Sequence, residues 1–405
     1  MAVGTPPAID IPAIPGFRLA ATACGLKTNG RPDLLLVQMQ PAATVAGLFT
    51  RNQVAAAPVT LCRQRLPGGK AAALLVNAGN ANAGTGAPGM MRARASTQCV
   101  AQTLAIAEEQ VFVSSTGVIG QPLPVEKIEA AIPGLAAALA ADAWADAATA
   151  ITTTDTFPKA RHRRCVIEGR PVLLAGIAKG AGMIHPDMAT MLVYLFTDVA
   201  ISTAAWQQLL AQAVEASFNS ITIDGDTSTN DTVLGFASGL AGNAPITDAD
   251  APAARPFADA LNDLCLELAH WIVRDGEGAT KFITITVTGA PSEAAARQIG
   301  KVVAHSQLVK TACFGNDPNW GRILAAVGRA GVPIDPTAVD IHLGEVAIVE
   351  RGGLAPTYTE AQGARVMAEP EIAIRIDLHA GSATTTTWTC DLSHDYVSIN
   401  ADYRT

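Results

Sequence analysis

The sequence predicts an α/β protein with a helix-covered, two-sided core, followed by a smaller α+β part. Segments of strand length and helix length alternate along the chain, and the early strands are uniformly apolar, as strands are when both sheet faces are covered. Two later strands, 282–288 and 371–379, instead alternate strictly between apolar and polar residues, which predicts one solvated face. This change of pattern places the start of the smaller part near residue 284.

The elements follow from hydrophobic periodicity, taken in chain order. Apolar runs of strand length alternate with longer stretches of helical composition. The predicted strands of the larger part are 71–76, 111–113, 171–176 and 191–199, and the predicted helices are 90–107, 133–150, 203–218 and 257–274. Ser202 is predicted to cap the third helix. The threonine run 384–387 fits a further strand.

The segment 257–274 is the clearest helix, because its apolar and polar residues recur at helical spacing on opposite sides. The apolar stripe consists of Phe257, Leu261, Leu264, Cys265, Leu268 and Ile272, and the polar stripe of Asp263, Glu267, His270 and Arg274. This pattern predicts that Cys265 is buried and that His270 is solvated. His379 falls on the polar face of its strand and is interpreted in the same way.

Composition excludes several classes of protein. The 405 residues carry a net charge of −8 and no basic patch, so we expect no nucleic-acid partner. Mean hydropathy is +0.26, yet no apolar run approaches the ~18 residues of a membrane span, and the N-terminus lacks the pattern of a signal peptide. We therefore expect no membrane association and a cytoplasmic protein. The seven cysteines and seven histidines are scattered, which predicts neither a disulfide framework nor a metal site.

Glycine-rich and hydroxyl-rich segments are the places where chemistry is expected. The segment 114–120 has small residues that free backbone N–H groups to bind an anion, as an oxyanion hole requires. Composition alone favours a plain turn for 114–120, whereas the Asn/Gly segment 77–86, beside a buried strand, suggests a site as well as a structural turn. The run 152–156 clusters hydroxyls and one carboxylate, but helix capping explains it equally well. In 179–192, Lys179 and His185 lie close in sequence.

Glu277 stands between two glycines in 274–281, which predicts an exposed carboxylate. It serves either as a ligand contact or as a solvated loop charge. From the residues alone, the sequence predicts a cytoplasmic α/β enzyme with glycine-rich site loops.

Six blocks of the sequence taken together resemble the ArgJ family of glutamate N-acetyltransferases, also called ornithine acetyltransferases, of arginine biosynthesis. The blocks are 77–82, 115–120, 179–192, 275–281, 314–322 and 400–405. The resemblance covers essentially the whole chain. It implies an αββα sandwich of the ArgJ/DmpA-like type with a smaller C-terminal α+β subdomain, from about residue 284 to 405.

The resemblance further implies a self-cleaving precursor with an N-terminal threonine nucleophile. The Thr190 hydroxyl attacks the Ala189 carbonyl carbon, and hydrolysis of the resulting ester gives an α chain, 1–189, and a β chain, 190–405. The new α-amino group of Thr190, with an ordinary pKa of ~7.7–8.0, then serves as the base for its own hydroxyl. The family assembles as an (αβ)2 heterotetramer, so the α and β chains are expected as mutual partners.

The site residues are carried over by resemblance. Thr190 is the nucleophile, and Thr116 and Gly117 form the oxyanion hole. The implied substrate contacts are Thr153 or Thr154, Lys179, Thr190, Glu277, Asn400 and Thr405. The run 152–154 leaves the choice between Thr153 and Thr154 open. Charge complementarity assigns the substrate α-carboxylate to Lys179 and an amino group to Glu277.

The implied reaction is a ping-pong transfer of acetyl from N2-acetyl-L-ornithine to L-glutamate through acetyl-Thr190. This route needs no cofactor, and the sequence leaves acetyl-CoA open as a second acetyl donor. The nearest alternative is an aminopeptidase or N-acyl-amino-acid hydrolase that uses the same Thr190 with water as the acceptor. The other is an inactive relative that binds amino acids.

Overall fold

The structure is a computed structural model that describes residues 2–185 and 191–402. The predicted cleavage site, Ala189 and Thr190, and the predicted contact Thr405 lie outside the described residues.

The larger part contains eight strands and six α-helices among the described residues. Its strands are β1 Phe17–Thr22, β2 Leu34–Phe49, β3 Lys70–Asn80, β4 Val111–Val118, β5 Lys159–Ile167, β6 Arg170–Lys179, β7 Leu192–Thr197 and β8 Thr232–Ala237. Its helices are α1 Ala57–Arg65, α2 Gly86–Leu104, α3 Val125–Ala137, α4 Trp144–Ala150, α5 Thr203–Ala216 and α6 Arg255–Arg274. As predicted, Ser202 caps α5, its hydroxyl accepting from the Ala205 N–H.

The smaller part follows with six strands and five helices in the described chain. The strands are β9 Phe282–Ala290, β10 Asp340–Leu343, β11 Val346–Glu350, β12 Gly353–Leu354, β13 Glu371–Asp377 and β14 Ala383–Cys390. The helices are α7 Glu293–Ala304, α8 Gln307–Phe314, α9 Trp320–Gly328, α10 Glu360–Ala368 and α11 His394–Asp402.

The strands of the larger part form two layers joined by β2. Their order is β4-β3-β2-β8-β7-β6-β5, with β1 also paired to β2. The long β2 pairs with β3 over its first half and with β8 over its second, and its register shifts between Gln38 and Ala43. The layers face each other through aromatic contacts: the ring centroids of Phe112 and Phe236 lie 6.3 Å apart, and those of Phe17 and Phe196 lie 5.3 Å apart.

Strand β7 shows why the early strands are apolar throughout. Its alternate residues Tyr194 and Phe196 belong to the core between the two sheet layers, where α1, α2 and α3 also contribute. Val193 and Leu195 belong to a second core beneath α5 and α6. Helices α1 to α3 pack against one layer and α5 and α6 against the other, and the predicted αββα sandwich is confirmed.

The second sheet has the order β12-β11-β10-β13-β9-β14. Strand β9 alternates as predicted, because Ile283, Ile285 and Val287 are fully buried in a core shared with α7 and α9, whereas Thr284 and Thr286 are partly exposed. This sheet begins at Phe282. Among the described residues, none of the helices combines the length and hydropathy needed to cross a membrane.

The prediction of one helix over 133–150 is wrong. Helix α3 ends at Ala137 and α4 begins at Trp144. The chain between them forms turns around an isolated β-bridge, in which Ala140 exchanges backbone hydrogen bonds of 2.7 and 2.9 Å with Leu19 of β1. Pairing with a distant strand overrides the helical preference of the alanines, which sequence periodicity cannot reveal.

The predicted ends of two strands are also wrong. Strands β3 and β4 continue to Asn80 and Val118 instead of ending at 76 and 113, because small polar residues extend their parallel ladder to the pair Gly79 and Gly117. The segment 114–118 is therefore strand rather than turn. The register shifts around Asn80, which is opposed by both Thr116 and Val118, an irregularity of the kind found beside active sites.

His270 is not solvated as predicted. Its ring packs against Phe282 and Trp388, with centroid distances of 5.3 and 4.7 Å, because the second sheet covers this side of α6. Burial lowers the pKa of His270 to about 4. The other two predictions are confirmed: Cys265 is fully buried and His379 is exposed.

Candidate active site

A cleft lies where the ends of β3, β4 and β6 approach the segments before β8 and after α6. The resemblance implies a set of substrate and oxyanion residues, and all of those that the structure describes line this cleft. They are Thr116, Gly117, Thr153, Thr154, Lys179, Glu277 and Asn400. These residues come from five separate segments of the chain. The other lining residues were not predicted and are Ala81, Ile119, Gly182, Met183, Ser228 and Asn230.

Gly117 is required by its position on β4. Its φ is +131°, and a Cβ there would lie 2.3 Å from the Gly79 carbonyl carbon, so no other residue fits. The neighbouring Thr116 is buried, and its hydroxyl accepts from Lys179 Nζ at 3.4 Å. The backbone of β4 therefore reaches the cleft with no side chain at Gly117 to shield it from a ligand.

Asn230 ties the two sheet layers together at the cleft. Its Nδ2 donates to the carbonyl oxygens of Ala81, at 2.6 Å, and Ser115, at 2.8 Å. Ser115 in turn donates through its hydroxyl to Asn77 Oδ1 at 2.6 Å. Sequence reasoning missed Asn230, although a polar run, 228–231, directly before an apolar strand was an available signal.

Lys179 is the buried cation of the cleft. It ends β6, is 3% exposed, and has no described carboxylate within ion-pair distance of its Nζ. Burial lowers its pKa, an effect that the carboxylate of Asp155 opposes. A buried ammonium group with a spare donor is suited to bind a substrate carboxylate.

The prediction that Glu277 is exposed is wrong, since it is only 9% exposed. Gly182 packs so closely on its carboxyl group that a Cβ there would lie 2.4 Å from Oε2. The Glu277 N–H donates to the Ala181 carbonyl oxygen at 2.7 Å, and Asn400 Nδ2 donates to Oε2 at 2.8 Å. The two glycines flanking Glu277 also allow close packing rather than exposure, since a Cβ at Gly276 would lie 3.0 Å from Cys390 Sγ and one at Gly278 2.6 Å from Ser393 Oγ.

Thr153 and Thr154 both line the cleft, so the choice between them stays open. The capping explanation for this run does not hold, because α4 has already ended at Ala150. Instead the Thr153 N–H donates to Asp155 Oδ2 at 3.0 Å, which anchors the run to a buried carboxylate.

His185 does not belong to the described lining of the cleft. Its Nδ1 lies 2.9 Å from His305 Nε2, in a contact between the two parts of the molecule. Burial lowers the pKa of His305 to about 3. His185 and Lys179 are close in sequence, but in the structure His185 lies outside the described lining of the cleft, to which Lys179 belongs.

Asp224 holds the cleft wall to the C-terminal helix and was missed by sequence reasoning. Its carboxylate accepts from the N–H groups of Met183, at 2.5 Å, and Ile184, at 3.0 Å, and from the Tyr396 hydroxyl at 3.2 Å. Met183 has a φ of +56°, which is unfavourable for this side chain and is sustained by that clamp. Through Tyr396, α11 carries Asn400 to Glu277.

The fold and the cleft define the class of the protein. An αββα sandwich whose cleft is lined by a buried lysine and a buried glutamate is typical of an enzyme that acts on a small molecule.

Comparison with known proteins identifies the family. The ArgJ family model matches residues 18–405. The chain is 50% identical over 406 residues to the arginine biosynthesis bifunctional protein ArgJ of Pseudomonas syringae pv. tomato (strain ATCC BAA-871 / DC3000), and 48% identical over 406 residues to that of Pseudomonas fluorescens (strain Pf0-1). Both alignments cover 100% of each chain. The chain belongs to the ArgJ family.

A solved structure agrees. The crystal structure of arginine biosynthesis bifunctional protein argJ from Bacillus halodurans is 39% identical, with a TM-score of 0.50, and the match covers 52% of this chain and 98% of that chain.

Proposed function

We propose that this enzyme transfers the acetyl group of N2-acetyl-L-ornithine to L-glutamate through an ester on Thr190, giving L-ornithine and N-acetyl-L-glutamate. Membership of the ArgJ family, whose relatives cover the full length of the chain, supports acetyl transfer in arginine biosynthesis. The observation that carries the proposal is the cleft, which brings the buried Lys179 and Glu277 together with Thr116 and Gly117.

The charges of the cleft match the two substrates. Both ornithine and glutamate carry an α-carboxylate, for which Lys179 is the described cation of the cleft. Glu277 is available to the side-chain ammonium of ornithine. A donor and an acceptor that share the Lys179 contact occupy one site in turn, as a ping-pong reaction requires.

The position of β7 supports Thr190 as the nucleophile. The next residue in the chain, Met191, is buried and donates its N–H to Asp231 Oδ1 at 3.0 Å. Leu192 pairs in register with Lys179, which lines the cleft. A fixed strand start beside the cleft provides the rigid attachment that a nucleophile needs.

The chemistry is balanced without a cofactor. The Thr190 oxygen adds to the acetyl carbonyl carbon while its proton passes to the Thr190 α-amino group. The tetrahedral oxyanion is stabilised at Thr116 and Gly117. The C–N bond to ornithine breaks, the departing amine takes the proton, and acetyl-Thr190 remains. The glutamate α-amine then attacks this ester, which restores the Thr190 hydroxyl.

An acetyl-transfer assay tests this function. Purified enzyme with N2-acetyl-L-ornithine and L-glutamate is expected to form N-acetyl-L-glutamate and ornithine in equal amounts. Release of acetate that glutamate does not suppress would instead identify the hydrolase alternative. A second assay with labelled acetyl-CoA and no acetylornithine decides whether acetyl-CoA is also a donor, since labelled N-acetylglutamate forms only if it is.

Self-cleavage is tested by the mass of the denatured protein. We expect chains of 189 and 216 residues, because the full chain has 405. The chain of the Bacillus halodurans structure, about half as long as this one, supports this proposal. Thr190→Ala should leave one uncut chain and Thr190→Ser should cleave more slowly. Normal cleavage of Thr190→Ala would exclude Thr190 as the nucleophile.

A further inference from the structure

We infer that Lys159, which lies outside the cleft, is a positioning residue that fixes the spacing between Lys179 and Glu277 and thereby selects the length of the amino acid bound. The choice of ornithine and its homologues as ligands rests on the proposed function. The role of Lys159 rests on the geometry of the structure.

Lys159 is the centre of a fully buried ion cluster. It is the first residue of β5, and its side chain has no exposed surface. Its Nζ lies 2.7 Å from Asp155 Oδ1 and 2.6 Å from Asp275 Oδ2, both of them fully buried carboxylates. The ring of Phe157, with its centroid 4.8 Å from Nζ, covers a further side of the ammonium group.

The two carboxylates each hold a segment that carries cleft residues. Asp155 accepts from the Thr153 N–H, at 3.0 Å, and from the Gly180 N–H, at 2.8 Å. Gly180 directly follows Lys179, so Asp155 fixes the end of β6 as well as the threonine run.

Asp275 supplies the second half of the connection. It lies two residues before Glu277, at the end of α6, and accepts from both the N–H and the hydroxyl of Thr156. Only Gly276 separates Asp275 from Glu277, and the backbone on either side is held, since the Gly276 N–H donates to the Val273 carbonyl oxygen at 3.0 Å and the Glu277 N–H to the Ala181 carbonyl oxygen at 2.7 Å. Lys159 therefore joins the segment of Lys179 to the segment of Glu277 through two short, buried ion pairs.

The pKa shifts of Asp155 and Lys159 indicate that the charges of these two residues stabilise each other in the buried cluster. Burial opposes ionisation of Asp155, but Lys159 and Lys179 outweigh burial and lower its pKa. The two carboxylates likewise raise the pKa of Lys159 despite its burial. An ion pair of this kind, once deprived of its cation, leaves uncompensated buried charge, so the segments must move to admit water.

Fixed spacing has a consequence for specificity. Ornithine differs from L-2,4-diaminobutyrate and from L-lysine by one methylene group, shorter and longer respectively. If Lys179 binds the α-carboxylate and Glu277 the terminal ammonium, a rigid separation favours one chain length. Discrimination of one methylene is ordinarily about 10- to 200-fold.

The experiment measures binding, so that it does not depend on acetyl transfer. Calorimetric titration of the full-length protein with L-ornithine, L-lysine and L-2,4-diaminobutyrate gives three Kd values for each variant. We expect wild type to prefer ornithine and Lys159→Met to lose about tenfold of that preference. In the acetyl-transfer assay the KM for acetylornithine should rise more than kcat falls.

Arg161→Met is the matched control. Arg161 also lies on β5 and pairs with α6, through Glu267 Oε1 at 2.7 Å, but it holds no cleft segment. The Arg161→Met substitution should lower the melting temperature and leave the preference for ornithine over its homologues intact. Asp275→Asn is the milder second variant and should shift the preference in the same direction as Lys159→Met.

The outcomes separate the two claims. Unchanged ornithine preference in Lys159→Met, or in Asp275→Asn if the former does not fold, would overturn the inference. So would a wild type that binds the three amino acids equally. Absence of acetyl transfer in a wild type that still prefers ornithine would overturn the proposed function alone.

Discussion

Gly117 is the residue at which the backbone geometry leaves no alternative side chain. In Gly117→Ala, the new Cβ would lie 2.3 Å from the Gly79 carbonyl carbon, so β4 must move away from β3. Because displaced oxyanion donors cost about 10²- to 10³-fold in kcat, we expect a loss of at least 100-fold. Steady-state kinetics of acetyl transfer measure it.

Gly120→Ala is the control for this change. Gly120 also has a positive φ, +82°, but a Cβ there would meet nothing within 4 Å. We expect a stability loss of about 1 kcal/mol with nearly normal kcat. Full activity in Gly117→Ala would show that the Gly117 backbone does not contribute to the oxyanion hole.

His270 makes stability depend on pH. Burial lowers its pKa from 6.5 to about 4, so the unfolded chain binds a proton more readily than the folded one. The free energy of unfolding is therefore not reduced by His270 well above pH 6.5, and it decreases progressively as the pH falls from 6.5 towards 4. At pH 5 the decrease amounts to at most about 2 kcal/mol relative to pH 7.

Urea unfolding at pH 7 and pH 5 checks this prediction. His270→Phe keeps an aromatic ring between Phe282 and Trp388 and cannot titrate. Its loss of stability between the two pH values should be smaller than that of wild type. His379→Phe is the opposite control: the hydrogen bond to Asp340 raises the pKa of His379, so its removal should make the loss of stability between these pH values larger than in wild type. An equal acid sensitivity in wild type and His270→Phe would contradict the assignment.

At the residue scale, sequence motifs predicted side chains that contact the cleft but not those that hold them. Thr116, Gly117, Lys179 and Glu277 lie in short, dense blocks that can be matched to a family. Asn230 and Asp224 act through hydrogen bonds to segments 40 or more residues away, and no local pattern reports those partners. The burial of Glu277 and His270 likewise depends on α11 and on the second sheet.

At the element scale, helix α11 is a surface element that serves the cleft. None of its described residues is buried. It is attached by polar contacts, among them Tyr396 to Asp224 at 3.2 Å and Asn400 to Glu277 at 2.8 Å. Its contribution is therefore to the site more than to the stability of the fold.

Asn400→Ala tests this division. Loss of the hydrogen bond to the Glu277 carboxylate, worth about 1.5–3 kcal/mol for a charged partner, should raise the KM for acetylornithine roughly tenfold. The melting temperature should fall by no more than about 5 °C, because the residue is exposed and the other contacts of α11 remain. Ser398→Ala on the same helix is the control, since the described hydrogen bond of its hydroxyl goes to the His394 carbonyl oxygen, at 3.4 Å, and not to a cleft residue, and its KM should be normal. A normal KM in Asn400→Ala would contradict the role given to α11.

The elements most accurately predicted are those whose periodicity reflects burial directly. Helix α6 and strands β9 and β13 follow the predicted ranges closely. The errors occur where a tertiary contact decides: Ala140 pairs with β1, and β3 and β4 extend each other to Asn80 and Val118. The bend that carries β2 between the two layers is also set by its partners on either side.

At the scale of the whole molecule, the proposed cut between Ala189 and Thr190 would divide the chain but not the sheet. Strands β7 and β8 belong to the later product, and β1 to β6 to the earlier one. In the sheet, β8 pairs with β2 and β7 pairs with β6, so the two later strands stand between strands of the earlier product. Every residue of β7 and β8 is buried.

We therefore expect the two products to stay associated under native conditions. Separating them would break two strand ladders and expose the cores on both faces of β7, a cost far greater than the gain from freeing two chains. Native size-exclusion chromatography should give one peak containing both chains, at the same volume as uncut Thr190→Ala, and denaturation should release two masses. A native mass of four chains would support the (αβ)2 assembly that resemblance implies. Elution of the chains as separate native species would contradict a shared sheet, because neither product could then keep β7 and β8 between β2 and β6.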